Sequence, residues 1–439
     1  MKKQIRWLHG EIEQWMAEGL ITLGQAEGIR ARYRQPEGGT PWATIIFSSL
    51  GAAILGLGIV LMFAYNWNAI PKFGKLGIVF GLLLLAHGGG AWLFLRGGRY
   101  RGVGEALCLL GTVLYGSGIW LIAQIYHIDT HYPNGFLAWA LGALAAAWAL
   151  ASIPQAIAAL ALLSIWSATE TVMFERFIHL GPVMIAALVA PLAWWKRSRL
   201  LMAAATVGLV FSACVGAAAA HEGTHLILVC LLSLGGLLLA LAQLAPSIPS
   251  LAPFSRIWDR SGWIAFFSAL YLLTFPGLID EVLPLGLSKH GLAALSWLVP
   301  LAAAFLVWTI VVLGMTRFDR RLSFDLYLVP LVLVVTLLLL FFRTGDWLAT
   351  PFNLAFLTLA ISLMMRGCRQ PNARLTIVGS VLLVMLATAR YMDLFDSLIA
   401  RGAVFILVGA VIFGQGLLYT RRKRAAGTGF GAGVQEVSR

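Results

Sequence analysis

The stretch Glu105–Asn134, EALCLLGTVLYGSGIWLIAQIYHIDTHYPN, decides how the chain is read. It opens on a carboxylate, runs through roughly twenty apolar or small residues, and closes on the polar run Gln124–His131. That length carries an α-helix across a hydrocarbon layer. At about 100° per residue, Glu105, Thr112, Gly116, Ala123 and His127 share one face. The face is a stripe of small residues with an ionisable group at each end. Such stripes let membrane helices approach closely, because lipid provides no hydrophobic force between them. The pattern predicts a packing helix inside a bundle. Its polar end, with His127, Asp129 and His131, holds candidate site positions.

Outward from this helix, composition fixes the class. Of 439 residues, 60% are hydrophobic and only 12% charged, with mean hydropathy +0.85. Soluble domains do not conceal that much apolar surface. The expected fold is all-α, a polytopic membrane bundle. The net charge of +13 would suggest nucleic acid in a soluble protein. Here the cytoplasmic bias of Lys and Arg accounts for it, and no nucleic-acid module is present. Cys108, Cys214, Cys230 and Cys368 form no CxxC pair, so neither a disulfide framework nor a thiolate metal site is expected.

Residues 1–42 are polar and show no signal-peptide pattern, so the first apolar span is expected to open the membrane part. Ile5, Leu8, Ile12 and Trp15 recur at helical spacing, and Gly19 ends that helix. Thr22 and Gln25 have the spacing of a capping box opening a second helix over 23–34. This cytoplasmic hairpin is expected to pack on the bundle, lie on lipid, or bind a protein partner through residues 1–35. About fourteen spans follow: 43–65, 74–95, 105–125, 134–151, 154–172, 178–195, 200–220, 225–245, 261–279, 291–314, 326–342, 347–365, 374–389 and 398–420. Residues 421–439, basic and then Gly-rich, form an expected disordered tail.

The charges test this count. With alternate loops on opposite sides and the N-terminus inside, only Lys72, Lys75, Arg176, Lys289, Arg343, Arg390 and Arg401 of 32 basic residues fall outside. The bias persists to Arg421–Arg424, which predicts an even number of spans and two cytoplasmic termini. The basic inner loops suit anionic lipid headgroups. An echo, [Asn/Asp]-Trp-x-Ala-x-Pro, occurs at 66–71 and 346–351, which marks Asn66 and Trp67.

Three pieces carry a family resemblance: GLITLGQAEGIRARY (19–33); YNWNAIPKFGKLGI (65–78) with EALCLLGTVLYGSGIWLIAQIYHI (105–128); and RYMDLFDSLIARG (390–402). The first two resemble the bacterial predicted-membrane-protein family filed as domain of unknown function 2157, over roughly residues 1–150. The last resembles the companion C-terminal domain of such proteins. The resemblance implies a multipass bacterial inner-membrane protein and hands over no catalytic residues.

Several motifs bear on chemistry. His221-Glu-Gly-Thr-His225 spells HExxH, which on a helix places two zinc ligands one turn apart. It follows four alanines at a turn between spans, and no Asp-Gly accompanies it, so a protease is not expected. A zinc-type site at the outer face would use His221 and His225, with His127 or His131 as further ligands. The competing reading is a set of solvated histidines. His87 is the one ionisable residue well inside a span, either functional or bonded to a helix carbonyl. Arg390, Asp393, Asp396 and Arg401 read as an ion-paired outer loop. Pro182, Pro191 and Pro300 are candidates for helix kinks.

These features give three functional expectations. The first is a permease-like, solute-handling protein, from size and Pro-bearing helices. The second is a structural partner in the envelope. The third is a metal-dependent membrane enzyme resting on HExxH.

Overall fold

The computed structural model describes residues 2–32, 70–97, 100–128, 131–174, 180–219, 225–276, 299–317, 324–341, 348–369 and 372–393, with isolated positions at 278, 406, 409–411, 413 and 414. The described residues are helical, with no strand. The chain divides into two units, Met1–Gly77 and Ile78–Arg439.

In the first unit, α1 (Lys2–Ala17) and α2 (Leu23–Arg32) form a hairpin. Gly19, at φ 71°, takes the left-handed conformation that turns the chain after α1. Thr22 N–H donates to Gln25 Oε1 at 2.9 Å, and Gln25 N–H donates to Thr22 Oγ1 at 3.4 Å. This reciprocal cap satisfies donors that the start of α2 would leave orphaned. Ile12 and Ala26 are buried.

Helix α3 (Lys72–Arg96) runs into the second unit. There follow α4 (Arg101–Ile125), α5 (Pro133–Leu150), α6 (Ile153–Phe174), α7 (Leu180–Trp195), α8 (Arg199–Ala219), α9 (His225–Leu244) and α10 (Ser255–Leu272). The series ends with α11 (Val299–Arg317), α12 (Phe324–Phe341), α13 (Ala349–Arg369) and α14 (Ala373–Asp393). Among the described residues, 8 helices are long and apolar enough to cross a membrane. The chain is an all-α polytopic membrane protein. Every expected span from 74–95 to 374–389 overlaps a helix, while 43–65, nearly all of 398–420 and the tail lie outside the described residues.

The differences are local. Helix α10 begins at Ser255 rather than 261, because Arg256, Asp259 and Arg260 lower hydropathy without stopping a helix. Pro300 is the second described residue of α11, and residues 279–298 before it lie outside the described residues, so its expected place in mid-span is not tested. Within α7, Ile185–Val189 is π-helical, with Ala190 N–H bonding to Ile185 C=O. Pro191 follows and has no N–H to give the ladder.

Small residues set the helix contacts. A Cβ at Gly104 of α4 would collide with the Phe94 and Gly90 backbone of α3, so these helices touch main chain to main chain. Helices α5 and α6 are joined through Ala151, at φ 48°, and Ser152. They meet along fully buried alanines: Ala140, Ala143, Ala147, Ala156 and Ala159. One core surrounds α5–α8, around Leu163, Ile185, Leu192 and Leu201. A second surrounds α9–α13, around Leu232, Phe266, Trp308, Phe352 and Phe356. Trp308 Nε1–H donates to Gly236 C=O at 2.9 Å, which satisfies the indole in that apolar core.

Candidate functional site

Two features of the second unit bring chemistry together. The larger is a cavity of about 910 Å³ among α9, α10, α12, α13 and α14. Its walls are aromatic and aliphatic, including Trp263, Phe267, Tyr271, Phe356 and Leu382. Trp263 and Phe267, one turn apart on α10, stack with centroids 5.1 Å apart. Gln243, Asp259, Arg260 and Arg366 line one end. They converge because α9 and α13 finish where α10 begins. Ile264 and Val378 line the cavity and are 69% and 47% exposed, so it opens sideways onto an apolar surface. The opposite end is tied by Thr274, whose carbonyl accepts from Asn353 Nδ2 at 3.0 Å and from Arg390 at 2.8 Å.

The second feature is a polar stripe along α6. At its start, Gln155 Oε1 accepts from Thr112 Oγ1 at 2.8 Å, and Ser152 Oγ donates to Glu105 Oε1 at 2.6 Å. Near its end, Glu170 Oε2 meets His131 Nε2 at 2.6 Å. The His131 ring also packs edge-on to Phe174, with centroids 4.1 Å apart. Around Glu170 on the same helix lie Trp166, Ser167 and Thr171, all buried. A short, charge-assisted bond to a buried carboxylate is the kind of feature that membrane interiors retain for function.

The sequence-marked residues separate as follows. Glu105 and Gly116 lie on α4, and Gly116 faces the Trp139 ring of α5. Trp139 Nε1–H donates to Thr112 C=O at 2.7 Å. His87 Nδ1 meets the Leu83 carbonyl of its own helix at 3.3 Å, and its ring fills the space a Cβ at Gly111 would need. With Thr112, Tyr115 and Gly142 it lines a cavity of about 250 Å³. His127 is exposed at φ 50°, while His131 turns inward to Glu170. His225 is the first described residue of α9 and Asp393 the last described residue of α14, with both side chains outside the description. Asn66, Trp67, Asp129, His221 and Arg401 lie outside the described residues. Arg390 donates to Thr274 and stands 5.5 Å from the Phe275 ring. Among the described residues, no three of His, Cys, Asp and Glu converge as a metal site.

Sequence reasoning missed the His131–Glu170 pair, although both residues carry a polar group into apolar surroundings. It also missed the cavity, whose lining is scattered over five helices. No curated protein and no solved structure matches the chain. Residues 13–156 match the model of the family described as predicted membrane protein (DUF2157), and over that part the chain is similar to this family.

Proposed function

We propose that the protein is permease-like and handles an amphipathic solute with an anionic head group, bound in the cavity beside α10. The observation that carries this reading is the cavity of about 910 Å³, apolar along its length, with Arg260 and Arg366 beside Asp259 and Gln243 at one end, a net charge of one positive. An apolar chain gains free energy along the aromatic wall, at about 25 cal/mol per Å² removed from water. An anionic head is drawn to guanidinium groups, which bind carboxylate or phosphate through paired donors. The sideways opening suits a ligand that arrives from the bilayer. In the bacterial inner membrane, with both termini cytoplasmic, the basic end faces the cytoplasm, where Arg366 and Arg369 belong by charge bias.

The test is ligand-dependent stabilisation of the purified full chain in non-ionic detergent. Oleate should raise the unfolding temperature, with about 2.7 kcal/mol of stabilisation at a hundredfold excess over Kd. Oleyl alcohol, with the same chain and no charge, should do less, and Arg366→Gln should remove the difference. Equal shifts with both compounds, or none with oleate, would overturn the proposal.

A further inference from the structure

Buried hydroxyls in apolar helices usually satisfy themselves by bonding back one turn. This chain follows that habit: Thr206 donates to Met202 C=O at 2.8 Å, Ser233 to Val229 at 2.6 Å and Thr336 to Val332 at 2.8 Å. Among the described residues, three buried hydroxyls find no partner at all. Ser167, Thr171 and Ser212 are 0%, 4% and 0% exposed, and their oxygens have no hydrogen-bond partner among the described residues. Each unmade bond in a water-free interior is costly, so three in one region require an explanation.

Their placement supplies one. Ser167 and Thr171 lie one turn apart on α6, and Glu170, 2% exposed, stands between them in sequence. Ser212 comes from α8 across the start of α7. A Cβ at Gly181 would stand 2.8 Å from Ser167 Oγ and 3.8 Å from Ser212 Cβ. The two serines therefore border the same small volume, which stays open because residue 181 is glycine. Glu170 follows Ser167 at the i+3 spacing that makes helix residues neighbours, and His131 holds its carboxylate at 2.6 Å. Glu170 Oε2 accepts this bond when the imidazole carries its proton on Nε2.

We propose that Glu170, Ser167, Thr171 and Ser212 form a binding site for a small monovalent cation of the sodium class. The donors are all hard oxygens, which suit an alkali or alkaline-earth ion rather than a soft transition metal. One carboxylate neutralises one positive charge. A divalent ion would leave a net charge buried in the apolar interior, which is strongly disfavoured. The Trp166 indole N–H, also without a partner among the described residues, is a donor and takes no part in ligation. His131 retains 18% side-chain exposure and marks the entry from the surface. Membrane carriers hold coupling ions in comparable settings, beside interrupted helices, and α7 is interrupted by its π-helical turn. This site is separate from the cavity beside α10 and stands or falls without it.

The experiment is ²²Na⁺ binding to the purified full chain in detergent at mildly alkaline pH, with choline as the inert cation. Saturable binding near one ion per chain is expected, with affinity reduced at least tenfold in Glu170→Gln. Ser167→Ala combined with Ser212→Ala removes two ligands at nearly constant volume and should weaken binding severalfold. It decides the matter if Glu170→Gln does not yield monodisperse protein. Absence of saturable binding in the parent, equal competition by choline, or undiminished binding in the folded variants would each overturn the assignment.

Discussion

At the scale of single residues, packing is governed by what cannot be added. Gly116 lies against the face of Trp139, and even a methyl there would enter the ring. Gly116→Leu should displace Trp139, break its bond to the Thr112 carbonyl and cost about 1–3 kcal/mol by overpacking. Thermal unfolding in detergent reads this, and an unchanged midpoint would show that the ring moves freely aside. The small stripe in Glu105–Asn134 was legible because small size is a property of the residue itself. The partner of His131 was not. Spacing grouped it with His127 in a shared polar run, whereas the fold turns His131 toward Glu170, 39 positions away. Side-chain pairs between helices depend on crossing angle and rotation, and neither is written in hydropathy.

At the scale of elements, helix positions were legible and their neighbours were not. Apolar length marked α3 to α9 within a few residues, since a span must satisfy its own backbone. Which helices lie side by side depends on shape, and one pair offers a direct check. Cys214 of α8 and Cys230 of α9 lie close enough for each thiol to perturb the other. Nothing in their spacing associates these two cysteines, which sit on different apolar runs. A short bifunctional thiol reagent such as dibromobimane should bridge them and become fluorescent. Cys214→Ser should abolish the signal, and Cys108→Ser should leave it unchanged. Equal fluorescence in the Cys214→Ser protein would mean that α8 and α9 do not meet along this face.

At the scale of the whole molecule, the charge pattern carries the topological prediction. If alternate loops lie on opposite sides, the basic runs Lys196–Arg199, Arg366–Arg369 and Arg421–Arg424 all belong to the cytoplasmic face. A phosphatase reporter, active only outside the cytoplasm, should be silent when fused after Arg424, and a fluorescent reporter active only inside should shine. The reverse result would require an odd number of crossings. The cavity beside α10 was illegible from sequence for a different reason: it is a property of spaces between helices, and hydropathy describes only their surfaces.

The π-helical turn in α7 has a consequence for the length of the chain itself. A bond from Ala190 to Ile185 encloses one residue more than an α-helical turn does. Loss of one codon within 185–189 would restore ordinary winding and leave the following helix facing as before. The same loss within a regular stretch of a span would rotate everything beyond it by about 100°. Among the described residues, this short segment is therefore the place where the gene can shorten by one codon without re-aiming the helices that follow.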